Sequence, residues 1–137
     1  MSQPTPSGER GDQAAEISRE MVKLMRRIAG RGPTKARTTI GRDHVLIMLQ
    51  DTLTQGERNL VDNGHEENVR VLRAAYQSLM KDEASAMIER VLGRKVIGFM
   101  SDNNFEPDMA AEVFILDPDE AVGDGIPQEA EHRPNGE

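Results

Sequence analysis

The chain has 137 residues, of which 36% are hydrophobic, and a formal net charge of −7 at pH 7. This length fits one domain with a segment of biased amino-acid composition at each end. The absence of cysteine excludes disulfides, thiolate nucleophiles and cysteine-based metal sites. The longest strongly apolar run, Val45 to Leu49, is far shorter than the about 20 residues that span a bilayer, so we expect no direct membrane insertion. Acidic charge and scarce aromatic residues argue against nucleic-acid binding.

The two ends of the chain differ in composition from its centre. Residues 1–12 contain proline, glycine and serine with little to bury, which predicts a disordered N-terminal arm. Residues 118–137 are acidic and predict a disordered tail. We therefore expect a single domain over residues 13–117. Because there is no cysteine and no apolar stretch in residues 1–13, we expect the protein to be cytoplasmic.

The first predicted helix follows Gln13, where four apolar residues recur at helical spacing: Ile17, Met21, Leu24 and Ile28. Gly30 to Pro33 ends it, because glycine suits a left-handed cap and proline cannot continue the hydrogen-bond ladder. A phosphate-binding loop is not expected here, since Pro33 lacks an N–H and the glycines follow a helix rather than precede one.

Two strands and two helices are predicted next. Residues 35–40 alternate in polarity and indicate an outer strand, whereas residues 44–50 are apolar on both faces and indicate an inner one. Thr54 and Glu57 have capping-box spacing, which predicts a short helix to about Asp62. The longest helix is predicted over residues 66–92 and ends at Gly93.

A second hairpin is predicted from strands at residues 96–100 and 110–116. The loop expected between them offers alternate oxygens, as the first half of a calcium loop does. Pro107 occupies the place of the turn glycine, however, and Val113 stands where the bidentate glutamate is needed. We therefore predict a polar hairpin loop over residues 102–108 and no metal site.

The order α-β-β-α-α-β-β predicts an α+β fold, a two-layer sandwich with a small and mainly antiparallel sheet. Three strands are apolar on both faces, yet the helices can cover only one face of such a sheet. A homodimer that covers the second face is the partner we expect. The alternative is that the first or second helix crosses to the other face.

A basic stretch runs from Lys23 to Arg42 and holds seven of the seventeen basic residues without an acidic one. Arginine binds carboxylates and phosphates through paired hydrogen bonds, so the stretch is a candidate surface for a partner or an anion. The alternative is a solvated face that complements a helix C-terminus. The candidate binding residues are Arg27, Arg31, Gly32, Lys35, Arg37 and Arg42.

No catalytic motif is present in the sequence. His44, His65 and His132 stand apart, and no two of them have the spacing of metal ligands. A hydrolase would need a tertiary contact between a histidine and a carboxylate or serine. We expect no catalytic residues, no cofactor and no metal.

The order of these motifs resembles the MpsC-type family over about residues 14–117. The motifs are a helix ending at Gly30 to Pro33, an inner strand, Leu53-Thr54 leading to Glu57, a long helix, and Gly93 to Val96 before the last hairpin. That family is named as the soluble component of a sodium-translocating, membrane-potential-generating system.

The resemblance implies association with a membrane ion or bicarbonate transport system. Since no membrane span is expected, the chain would dock, assemble or regulate. We predict a non-enzymatic accessory or regulatory subunit at the cytoplasmic face of a membrane transporter. The alternative is a small anion- or nucleotide-sensing module that uses residues 23–42.

Overall fold

The computed structural model describes residues 6–118, which form three helices and four strands in the predicted order. The α+β prediction is therefore confirmed. The element bounds are α1 Pro6–Ala29, β1 Lys35–Ile40, β2 His44–Gln50, α2 Gln55–Asp62, α3 Glu66–Leu92, β3 Val96–Phe105 and β4 Asp108–Leu116. None of the helices within residues 6–118 is long and apolar enough to cross a membrane.

The four strands form one antiparallel sheet in the order β1-β2-β4-β3. The two central strands are mostly apolar on both faces, the edge strand β3 is apolar only over its first half, and the edge strand β1 alternates in polarity. This is the expected arrangement, because a central strand is shielded by neighbours on both sides. The predicted outer and inner strands of the first hairpin are confirmed.

The two long helices, α1 and α3, lie on the same face of the sheet. Phe114 is fully buried in this layer, and its ring centroid lies 5.1 Å from that of Phe99 on the edge strand. Val61 of α2 also packs against the cluster that contains Phe105 on this side of the sheet. The alternative in which the first or second helix crosses to the other face is therefore wrong. The other buried residues of this core are Ile17, Met21, Leu24, Met25, Val45, Ile47, Leu49, Met80, Ala84, Met87, Ile88, Ala110 and Leu116.

Helix α1 begins at Pro6, so the prediction that residues 6–12 belong to a disordered arm is wrong. Proline is favoured at the first helical position, and Glu9 in the first turn complements the helix dipole. Residues 8–12 are exposed, which is why hydrophobic periodicity did not reveal them. The remaining residues predicted to be disordered, 1–5 and 119–137, lie outside the described part of the chain.

The second hairpin is longer and tighter than predicted. Strand β3 extends to Phe105 and β4 begins at Asp108, so the predicted loop at residues 102–108 is wrong. Only Glu106 and Pro107 connect the strands, through a cis peptide bond. The polar residues at 101–104 obscured the end of the strand, although Phe105 at its last position packs with Leu53 and Val69 beneath α3.

A buried ion pair anchors the short helix α2 to α3. Thr54 and Glu57 form the predicted capping box, with the Glu57 N–H donating to the Thr54 hydroxyl at 3.1 Å. The Glu57 carboxylate accepts two hydrogen bonds from Arg73 at 2.8 and 3.0 Å, and Arg73 also donates to the Thr52 carbonyl at 2.6 Å. Both charged side chains are at most 5% exposed.

Asp108 holds the loop between β2 and α2 against the start of β4. Its carboxylate accepts hydrogen bonds from the Thr52 N–H, the Thr52 hydroxyl and the Leu53 N–H, each at 3.0 Å. Arg58 pairs with the same carboxylate at 3.1 Å. Together with Arg73, this carboxylate satisfies the polar groups of a loop that would otherwise be buried without partners.

We expect Arg73→Met to lower the free energy of unfolding by roughly 3–5 kcal/mol, because it leaves the Glu57 carboxylate buried without a counter-charge. Urea unfolding followed by circular dichroism measures the change. The matched control is Arg90→Met on the same helix, since Arg90 is exposed and pairs with Glu20 at only 3.7 Å. The control is expected to lose less than about 1 kcal/mol. Equal losses in the two variants would contradict a structural role for the buried pair.

Candidate functional site

The sheet face opposite α1 and α3 has no covering element within residues 6–118. Strand register arranges its side chains in four rows that cross the sheet from the β1 edge to the β3 edge. We call this surface the open face. Its rows are Lys35–Gln50–Met109–Asn104, Arg37–Met48–Ala111–Asp102, Thr39–Leu46–Val113–Met100 and, starting at β2, His44–Ile115–Gly98.

The centre of the open face is apolar. Leu46, Met48 and Val113 are half-buried by their neighbours, whereas Met100 on the edge strand is 57% exposed. Gly98 leaves room for the opposing isoleucine, because a Cβ there would lie 3.2 Å from a side-chain carbon. A contiguous apolar surface of this kind is typical of a contact site.

The two edges of the open face carry opposite charges. Lys35 and Arg37 extend from β1, and Asp102 extends from β3 at the far end of the Arg37 row. A depression of about 390 Å³ lies beside the two basic residues, and another of about 310 Å³ lies beside Asp102. Met48 and Met109 line both depressions and separate them. The surface is thus apolar in the middle and polar on both sides.

Most residues of the predicted basic site do not lie together in the structure. Arg27 pairs with Glu83 across the two long helices, and Arg31 pairs with the Asp51 carboxylate at 2.9 Å. Gly32 packs against α1, where a Cβ would lie 3.1 Å from a Val22 methyl group.

Arg42 lies in the turn of the first hairpin, where its backbone carbonyl accepts a hydrogen bond from Arg94 at 2.6 Å. This turn is at the opposite end of β1 from Lys35. Of the six candidate residues, only Lys35 and Arg37 therefore share one surface, the basic edge of the open face.

A second apolar surface lies on α3, and sequence periodicity did not reveal it. We call Val71, Leu72, Ala75 and Leu79 the α3 stripe. Val71 and Leu79 are 69% and 68% exposed, although the buried Val69 and Met80 lie only one or two positions away in the sequence. The sequence shows apolar residues around most of this helix, and only the packing shows which of them contact the core.

Glu112 is a buried carboxyl group that the sequence analysis also missed. It lies on the helix side of β4, is 1% exposed, and is the register partner of Ser101. Among residues 6–118, neither its Oε2 atom nor the Ser101 hydroxyl has a hydrogen-bond partner. Burial raises the pKa of Glu112 to about 7, although the positive charge of Arg73 partly opposes the rise.

One histidine contacts a carboxylate. His44 Nδ1 lies 2.8 Å from Asp43 Oδ1 in the exposed turn of the first hairpin, and this hydrogen bond lowers the pKa of Asp43. The imidazole packs over Gly41, where a Cβ would lie only 2.6 Å from a ring carbon. His65 begins α3 and is exposed, and His132 lies outside the described residues. The contact orients His44 at the hairpin turn.

Comparison with known proteins gives one match. The model of a protein family described as a Na+-translocating membrane potential-generating system (MpsC) matches residues 9–118. No curated protein matches the chain, and no solved structure matches it either. The family match covers all of the described residues except the first three, 6–8, and it includes both apolar surfaces.

We expect Glu112→Gln to change the pH dependence of stability. Since the folded-state pKa is raised above the ordinary value of 4.5, the wild-type protein loses stability as pH rises from about 4.5 to 7 and loses no more above that range. The glutamine variant lacks this loss. The wild-type loss amounts to about 3 kcal/mol in the free energy of unfolding. The stability of the variant relative to wild type should therefore increase from pH 5 to pH 8.

Urea unfolding at pH 5 and pH 8 measures this difference. Glu106→Gln is the control, because Glu106 is exposed in the turn between β3 and β4 and its removal should leave the pH dependence unchanged. If Glu112→Gln and wild type lose stability in parallel between the two pH values, burial does not raise the pKa of this carboxyl group.

Proposed function

Because this chain belongs to the MpsC family, we propose that it is a non-enzymatic accessory or regulatory subunit of a membrane-potential-generating system. The family description associates it with Na+ translocation across a membrane. The subunit acts by binding a membrane-embedded partner from one side. Its contribution is assembly or control of the partner rather than chemistry of its own.

The observation that carries this proposal is the α3 stripe. Val69 and Met80 face the interior on one side of α3, whereas the stripe residues lie on the opposite side of the helix. The apolar residues of the stripe therefore remain exposed. Such side chains are unfavourable in water and are typical of a surface that another protein covers.

The spacing of the stripe supports a protein partner. Val71, Ala75 and Leu79 are each four residues apart, so they lie one above another along one side of the helix. Leu72 widens the stripe on its flank. Helical anchors at this spacing fit a hydrophobic groove on a partner protein.

We expect the double variant Val71→Ser, Leu79→Ser to lose the membrane partner. Tagged protein is incubated with detergent-solubilised native membranes, and the captured membrane-spanning subunits are quantified by mass spectrometry. Two apolar anchors contribute about 1–2 kcal/mol each, so recovery of an ion-translocating subunit should fall at least about tenfold. The fold should persist, because both side chains are exposed in the free protein.

Met100→Ser is the matched control for this capture experiment, since Met100 is equally apolar and 57% exposed but lies on the open face. It should recover the partner as wild type does. Loss of the partner with Met100→Ser alone would move the contact to the open face. Recovery of no ion-translocating subunit by wild type would contradict the accessory role.

A second candidate function is the sensing of a small anion. The supporting observation is the depression beside Lys35, Arg37 and Gln50, where two cationic side chains and an amide line a volume of about 390 Å³. Two basic residues of this kind suit phosphate or bicarbonate. Of the six candidate residues in the basic stretch, only Lys35 and Arg37 lie on one surface, as binding of a single anion requires.

Anion sensing predicts that phosphate or bicarbonate raises the melting temperature of the wild-type protein, because a ligand bound only by the native state stabilises it. The variant Lys35→Ala, Arg37→Ala should lose the rise. Arg19→Ala, on the exposed side of α1, is the control and should keep it. An equal rise in all three proteins would reflect a general salt effect and would exclude the depression as an anion site.

A further inference from the structure

We propose that the open face is the interface of a symmetric homodimer. Two copies pack open face against open face, about a two-fold axis that runs parallel to the strands between β2 and β4. Arg37 of each copy then lies opposite Asp102 of the other. The proposal is independent of the α3 stripe, which lies on the helix layer at the opposite side of each copy.

The strand register determines which axis is compatible with the charges. A two-fold axis parallel to the strands places β1 of one copy over β3 of the other and β2 over β4. Each row then faces the same row of the second copy, with its residues in reverse order. An axis perpendicular to the strands would instead place β1 over β1. Lys35 and Arg37 would then face cationic residues of the second copy, which is unfavourable. Charge therefore selects the parallel axis.

The rows are self-complementary about this axis. In the second row Arg37 lies opposite Asp102 and the large Met48 lies opposite the small Ala111. In the third row Leu46 lies opposite Val113. Pairing of large with small and positive with negative side chains is what an isologous interface requires, since the same surface contributes both halves.

The charged residues at the two edges are available for pairing. Within residues 6–118 Arg37 forms no ion pair, and the Asp102 carboxylate accepts a hydrogen bond only from the neighbouring Asn103 N–H at 2.8 Å. Packed sheets lie about 10 Å apart, a gap that an arginine and an aspartate together can bridge. The pair would close each side of the apolar centre.

The size of the open face is sufficient for a specific dimer. With strands about 4.8 Å apart and about 3.3 Å per residue, four strands over seven residues project onto roughly 19 Å by 23 Å. Side-chain relief adds to this area, so two faces together bury about the 1,000 Å² that separates specific interfaces from chance contacts. The dimer would also cover Met100, which is more than half exposed in the single chain.

A charge-swap experiment tests the interface. The dissociation constant of the full-length chain is measured by sedimentation velocity for wild type, Arg37→Asp, Asp102→Arg and the double variant. Each single substitution places like charges opposite each other at two symmetric positions, so each should raise the dissociation constant at least about tenfold. The double variant restores opposite charges and should return the constant to within about threefold of wild type.

Arg19→Asp is the control for the charge change, because Arg19 is exposed on α1, away from the open face, and should leave the dimer unchanged. Circular dichroism of every variant verifies the fold. A wild-type chain that is monomeric at every concentration overturns the proposal, as does a dimer that none of the open-face substitutions weakens. A monomer that dimerises only after removal of residues 119–137 also overturns it, since this chain's own acidic segment would then be the occupant.

Discussion

The central strands β2 and β4 are apolar on both faces, whereas α1 and α3 cover only one of them. Burial of apolar area is the main driving force for folding, and a two-layer fold satisfies it for a single face of the sheet. The covered face forms the core around Phe114. The uncovered face leaves Leu46, Met48 and Val113 only half-buried, and this one-sided coverage is the physical reason to infer a second copy.

Buried polar groups stabilise the fold of the domain. Glu57 both caps α2 and pairs with Arg73, while the Asp108 carboxylate accepts hydrogen bonds from the backbone of the adjoining loop. These contacts explain how a short helix stays attached to a long one with few apolar contacts between them. Glu112 differs from the others, because the positive charge of Arg73 does not compensate its burial and its pKa rises. Its charge therefore couples the stability of the fold to pH in the neutral range.

The two apolar surfaces lie on different layers and suit different tasks. The open face is self-complementary in charge and broad enough for a second sheet. The α3 stripe is narrow, helical and directed away from the sheet. A dimer formed through the open face would carry one α3 stripe on each outer side, so each copy could bind one membrane partner.

The sequence by itself determined the element order, the helix caps and most element bounds, because these depend on local spacing and on glycine, proline and capping residues. It also determined that one sheet face lacks cover, since Met48 and Val113 are apolar at positions facing away from the core. It did not reveal the first turns of α1, whose residues 8–12 are all exposed, or the end of β3, where four polar residues precede Phe105.

Only the tertiary structure decided which charges converge. Arg27 and Arg31 are engaged by acidic residues distant in sequence, Glu83 and Asp51, and such pairing has no local signal. The same holds for Glu112, whose burial depends on the elements packed around β4, and for the α3 stripe, whose exposure depends on which side of α3 packs on the core. Local pattern specifies an element, but the contacts between elements decide which side chains are left for function.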